Sequence, residues 1–155
     1  MASKPATKNS NTQMAKHLAN VVSDTYLLMI KTHGYHWNVT GPNFHDLHLF
    51  FETQYNELFT AVDEIAERIR ALDCFAPGST AAFHNHTAVK EAGEQPPSAM
   101  AMVKDLLKTH EQVRMRIAEA RAFAGEIEDT ASEDLMNNRL AAHDKTIWML
   151  RSQAA

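Results

Sequence analysis

The stretch HWNVTGPNFHDLHLFFETQYNELFTAVDEIAERI, residues 36–69, carries the pattern that decides the fold. Its apolar residues Phe44, Leu47, Phe51, Tyr55, Leu58, Val62, Ile65 and Ile69 recur every three or four positions. That spacing gathers them on one face of an α-helix. Thr40-Gly41-Pro42 breaks the pattern upstream. Pro42 fits the first position of a new helix, where its missing N–H leaves nothing unsatisfied. The spacing predicts one helix from that break to about Leu72, roughly 45 Å long at 1.5 Å per residue.

Working outward, Met14, Leu18, Val21, Val22, Leu28 and Met29 give an earlier helix from about Thr12 to Val39. Downstream, Pro77-Gly78 ends the central helix. Ala81-Ala82-Phe83 predicts a short helix inside the long connection Ser79–Lys90, and Gly93 and Pro96-Pro97 break the chain again. Ser98 fits the cap of a third long helix, with Met102, Val103, Leu106, Leu107, Val113, Ile117 and Ala118 inward and Gly125 at its stop. Thr130-Ala131-Ser132-Glu133 reads as a capping box for a fourth, carrying Leu135, Leu140, Ile147 and Leu150. No strand-like alternation appears. The expected organisation is a polar, flexible tail over 1–11, one helical domain over 12–151, and a short tail over 152–155. Four long helices with one long connection between the second and third predict an all-α bundle with the connectivity of ferritin-like folds.

Composition narrows the setting. The 155 residues suit one domain with a real core. The single cysteine, Cys74, rules out an intrachain disulfide framework and suits a reducing compartment. No apolar run approaches the roughly 20 residues that span a bilayer, so no membrane partner is expected. The first residues lack the apolar core of a signal peptide, and a cytoplasmic location follows. The net charge of −4 does not favour nucleic acid in bulk, yet Lys4, Lys8 and Lys16 precede any acidic residue.

The chemistry concentrates on the central helix. His48 and Glu52 are four residues apart, as are Asp63 and Glu67. With His48 at zero and about 100° per residue, Glu52 falls near 40°, Asp63 near 60° and Glu67 near 100°. One helix cannot wrap these four around one ion, because Glu52 and Asp63 lie roughly 16 Å apart along the axis. The two pairs His48/Glu67 and Glu52/Asp63 share one midpoint, between residues 57 and 58. An antiparallel twin helix related by a two-fold there would set His48 beside the partner's Glu67 and Glu52 beside the partner's Asp63, making two equivalent sites. Such crowding of carboxylates favours a bound cation, and His36 could add a nitrogen; carboxylates with imidazole suit iron, manganese or zinc. A solvated face with weak ion pairs to Arg68 and Arg70 explains the same residues without a metal.

The string over residues 36–69 resembles the central motif of the Dps family, the mini-ferritins, in HWNV-x-G, in the Phe and His that follow, in the tyrosine and in D-x-x-A-E-R-I. STAAFHNHTAVKE resembles the family's short crossover helix, and AAHDKTIWML the end of its last helix. The resemblance covers about residues 12–151. It implies a ferritin-like four-helix bundle with a short extra helix and a dodecameric cage in the bacterial cytoplasm or nucleoid. Ferroxidase sites would lie between subunits, with His36, His48 and Glu52 from one chain and Asp63 and Glu67 from the other. Many members have Asp where this chain has Glu52, which is one methylene longer. The implied function is oxidation of Fe²⁺, preferentially by hydrogen peroxide, at a di-iron site. Storage of ferric mineral would follow, protecting DNA from oxidative damage. Larger ferritins instead use Glu-x-x-His pairs inside one bundle, and that pattern is absent here.

Other residues carry two readings each. Glu126, Glu128, Asp129, Glu133 and Asp134 either line the family's acidic three-fold pore or complement a helix dipole. Trp37 either lies near the site or packs in the core. His33 and His45 are read as solvent-facing or as part of a metal route, His84 and His86 as surface residues, and His110 and His143 as buried. Some family members compact DNA through basic tails, so Lys4 and Lys8 make DNA a candidate partner. Three functions compete: a ferroxidase and iron store, a DNA-compacting cage with weak iron chemistry, and a cage that buffers zinc or manganese.

Overall fold

A computed structural model of the protein describes residues 7–155 as five helices: α1 (Lys8–Asn38), α2 (Phe44–Ala71), α3 (Thr80–His86), α4 (Ala99–Glu126) and α5 (Thr130–Ala154). Among the described residues there is no strand. Short turns make antiparallel hairpins of α1 with α2 and of α4 with α5, and the hairpins pack chiefly through α1 against α4. The short α3 lies on α1 within the long connection. The protein is thus an all-α, ferritin-like bundle with an extra crossover helix, as the apolar spacing predicts.

Each long helix sends its apolar stripe to one core. Leu18 and Leu28 from α1, Phe51, Leu58, Ile65 and Ile69 from α2, Met102, Leu106 and Ile117 from α4, and Met136 from α5 are all essentially inaccessible. Fully burying such a side chain contributes roughly 1.5–3 kcal/mol, so these positions fix which faces turn inward. No helix of the described residues is long and apolar enough to cross a membrane.

Helix ends depart from expectation in instructive ways. α1 begins at Lys8, not near Thr12, because the Thr7 side chain accepts from Ser10 N–H. Lys8 therefore belongs to the helix, while Lys4 and the rest of the proposed tail through residue 6 lie outside the described residues. α5 likewise runs through residues 152–154 instead of ending in a tail. Pro42 sits in a turn closed by Phe44 N–H on the Gly41 carbonyl, and α2 starts two residues later than predicted. The cap of α5 is Asp129, whose side chain accepts from Ser132 N–H, and not Thr130.

Two helices end in Schellman motifs built on acidic residues. After α2, Asp73 (φ 61) donates to the Arg70 carbonyl, and Cys74 donates to that of Ile69. After α4, Glu128 (φ 58) donates to the Gly125 carbonyl, and Asp129 donates to that of Ala124. Gly125 was the expected stop, yet the left-handed residue is Glu128. These hydrogen bonds satisfy the last carbonyls, at the cost of a conformation that disfavours side chains with a Cβ.

Buried polar groups tie the elements together. Asp24, fully buried on α1, accepts from the Thr87 hydroxyl and Ala88 N–H at 2.8 Å each and faces Arg116 Nε of α4 at 3.2 Å. Burial raises its pKa, opposed by these hydrogen bonds and by the guanidinium. Between α4 and α5, His110 and His143 are buried as expected, with their Nδ1 atoms 2.9 Å apart. Burial, reinforced by the Arg139 charge, pushes His110 down to about 3. Burial, then the charges of His110 and Arg139, holds His143 well below its ordinary range.

Both histidines take up protons more readily once unfolded, where they titrate near 6.5. Folded stability is therefore complete above that pH and declines as pH falls from about 6.5 toward 3. Urea titrations should show stability falling between pH 7 and pH 5 by roughly 2 kcal/mol per proton taken up on unfolding. The double variant His110→Leu/His143→Leu should flatten that slope; an unchanged slope would remove the histidines as its source. Glu128→Gly should raise stability by about 0.5–1 kcal/mol, read as a higher denaturation midpoint, by relieving the left-handed backbone.

Candidate metal centre

Two imidazoles strap the end of α1 to the start of α2. His36 Nδ1 lies 2.8 Å from the His48 carbonyl oxygen, and His48 Nδ1 lies 2.8 Å from the His36 carbonyl oxygen. A carbonyl oxygen only accepts, so each Nδ1 carries the proton and donates. In the neutral ring the lone pair then belongs to Nε2. The rings stack with centroids 3.8 Å apart and planes 18° apart. Holding one ring nitrogen on a backbone carbonyl orients the other as a metal ligand. His36 is buried at 8% exposure and His48 is half-buried.

The carboxylates follow along α2. Glu52 is half-buried one turn after His48, and Asp63 and Glu67 are exposed farther on. Among the described residues none of the three forms an ion pair. The local pairing offered by Arg68 and Arg70 does not occur. Arg68 turns to Asp129 Oδ1 at 2.7 Å and Ser132 Oγ at 2.9 Å. Arg70 donates to the Cys74 carbonyl at 2.6 Å and lies over the Phe75 ring. A single chain brings His36 and His48 together but leaves the acidic pair of α2 elsewhere. Among the described residues, no three His, Cys, Asp or Glu of one chain gather closely enough to hold a metal.

Of the rings around the histidine pair, His33 and Trp37 match one of the two readings the sequence offers each, while Tyr55 was not expected there. His33 is half-buried, its ring 4.0 Å from that of Trp37 and 4.2 Å from that of Tyr55. Its centroid lies 6.1 Å from that of His36. Burial, then the neighbouring His36, lowers its pKa. Tyr55 meets His36 edge-on at 5.1 Å. Trp37 is not core filler: 66% of it is exposed. The available signal was the placement of His33, His36 and Trp37 three and four residues apart, which puts them on one helical face. His45 is exposed beside Asp46, and His84 is exposed beside Glu91. His86 is only half-buried, and its carbonyl accepts from Arg116.

The acidic cluster divides by partner. Asp129 is buried. Burial alone would raise its pKa, but the Ser132 hydroxyl and N–H together with Arg68 bring it below the usual carboxylate range. Glu133 pairs with Arg121 at 2.7 Å. Glu126, Glu128 and Asp134 remain exposed, without an ion pair among the described residues.

Comparison with known proteins gives concordant results. A family model described as a ferritin-like domain matches residues 15–155. The chain is 34% identical over 148 residues to a DNA protection during starvation protein of Brevibacillus brevis, covering 94% of this chain and 97% of that one. The crystal structure of Dps from Staphylococcus aureus superposes with a TM-score of 0.89 at 34% identity, over 93% of this chain and 96% of that one. A Dps protein from Vibrio cholerae O1, described as a member of a broad superfamily of ferritin-like diiron-carboxylate proteins, superposes with a TM-score of 0.93 at 25% identity, over 100% and 98%.

Arg68 bridges α2 to the cap of α5, with 23% of its side chain exposed and 6% of that of Asp129. Arg68→Ala should lower unfolding free energy by about 1.5–3 kcal/mol, the loss expected when a charge-assisted hydrogen bond leaves a buried carboxylate alone. Urea denaturation would check it, and an unchanged midpoint would show the bridge to be idle.

Proposed function

Because the chain belongs to the ferritin-like family and, within it, to the Dps proteins, we propose that it oxidises Fe²⁺ at sites shared by two copies and stores the product inside a cage of twelve. His36, His48 and Glu52 of one chain and Asp63 and Glu67 of the next would bind the iron substrate. The observation that carries this reading is the reciprocal histidine strap. It leaves two Nε2 lone pairs on adjacent rings, one helical turn before Glu52, a carboxylate with no ion pair among the described residues. The shared midpoint of His48/Glu67 and Glu52/Asp63, between residues 57 and 58, supports a two-fold apposition that would unite the halves. Without a metal, that apposition would set like charges together in a partly desolvated contact.

The chemistry proposed is a two-electron reduction of hydrogen peroxide. Two Fe²⁺ ions lose one electron each, and peroxide takes both electrons with two protons and leaves as two waters. The pairing of irons avoids a one-electron step that would release hydroxyl radical. The protein's contribution is spacing, charge and orientation, with no side chain acting as nucleophile or general base. The exposed Glu126, Glu128 and Asp134 are the candidates to draw Fe²⁺ inward through an acidic pore, since Asp129 and Glu133 are already committed to Arg68 and Arg121.

The test is anaerobic loading of the apo assembly with Fe²⁺, then hydrogen peroxide, with ferric absorbance followed by stopped flow. His48→Ala and Asp63→Ala should each slow oxidation by at least about tenfold while light scattering shows an unchanged assembly. Full rates in both variants would overturn the assignment. Tight zinc retention without iron oxidation would favour a metal-buffering cage instead.

A further inference from the structure

A recess lies apart from the histidine pair, where α1, the crossover and α4 meet. It encloses about 370 Å³ between Lys31 of α1, Lys90 of the crossover, and Asp105, Lys108, Thr109 and Gln112 of α4. The Lys31 side chain is 3% exposed, an unusual burial for an ammonium group. Its Nζ lies 3.1 Å from Asp105 Oδ2 and donates to Thr109 Oγ1 at 3.3 Å. An ammonium has three N–H bonds, so one donor has no partner among the described residues. The Asp105 carboxylate does not belong to Lys31 alone, because the same Oδ2 accepts from the Tyr35 hydroxyl at 2.6 Å. Among the described residues neither Lys90 nor Lys108 has an acidic partner.

The recess is thus lined by three lysines, buried Lys31 and exposed Lys90 and Lys108, against the one carboxylate of Asp105, in a chain whose net charge is −4. Its crossover wall is fixed. Gln112 Nε2 donates to the Ala88 carbonyl at 2.9 Å, and Thr87 and Ala88 are anchored on buried Asp24. A buried ammonium with a donor to spare, on an anchored wall flanked by two further lysines, suits a small multivalent anion. We propose that this recess binds a phosphate-class oxyanion, with Lys31, Lys90 and Lys108 as its donors. The ligand is free phosphate, and recognition of a nucleic acid backbone is the competing outcome of the test. Neither is needed for the iron chemistry, so the proposal stands apart from that reading.

The test uses the apo, full-length protein. Inorganic phosphate is titrated in by calorimetry at low ionic strength, and a short fluorescent duplex DNA is followed by anisotropy in parallel. Lys90→Gln, Lys108→Gln and the double variant are compared with wild type, with circular dichroism confirming an unchanged fold; Lys31 is left in place because of its burial. Phosphate binding weakened about tenfold per lysine, with DNA affinity unaltered, assigns a free oxyanion. DNA binding that is weakened by the same variants, without binding of phosphate alone, would overturn the free-ligand assignment. Absence of both interactions in wild type, or binding indifferent to the two lysines, would overturn the proposal.

Discussion

The contact on which the candidate centre depends is the exchange of two hydrogen bonds between His36 and His48. It joins the last turn of α1 to the first turns of α2, across a five-residue link that includes Gly41 at φ 110. Each ring gives up one nitrogen to backbone, and with it the freedom to flip or change tautomer. What remains is a pair of stacked, similarly protonated imidazoles whose free nitrogens are positioned by the hairpin itself. The aromatic ring of Tyr55 and the His33–Trp37 pair then close around them, so that the polar pair sits against an apolar flank.

The rest of α2 obeys a division of labour. Its inward stripe, from Leu47 to Ile69, is absorbed by the bundle. Its outward stripe keeps Glu52, Asp63 and Glu67 uncommitted, because the arginines that could neutralise them are used elsewhere. Arg68 is spent on the α5 cap, and Arg139 of α5 is bound to Glu57. Those cations serve the fold and leave the acids of the proposed interface bare.

Architecture was legible in the sequence because it rests on period. The 3.6-residue recurrence from Phe44 to Ile69 is long enough to outvote any single residue, and the breaks at Gly41-Pro42, Pro77-Gly78 and Pro96-Pro97 all separate helices. Boundaries were less legible, because caps are chosen among near-equals. Asp129 won over Thr130 because Arg68, 61 residues away, stabilises its carboxylate there. Glu128 took the left-handed position because Ala124 and Gly125 offered carbonyls in the right register, which composition does not reveal. Within the site, spacing and resemblance pointed to His36 and His48, but the hydrogen bonds that define their tautomers are made to main chain, which carries no sequence signal. Of the two readings of Trp37, core packing fails, since apolar bulk is a poor guide to burial in a chain with exposed faces.

Asp24 shows how a long connection can be secured without a core of its own. The stretch between α2 and α4 has few apolar anchors, chiefly Phe83 and Val89. Its polar attachment needs an acceptor from α1 and a guanidinium from α4 at the same place. The two halves join only when the helices lie side by side, where Arg116 also reaches Asp24. The crossover thus works as a latch across the bundle, fastened to both hairpins at one buried carboxylate.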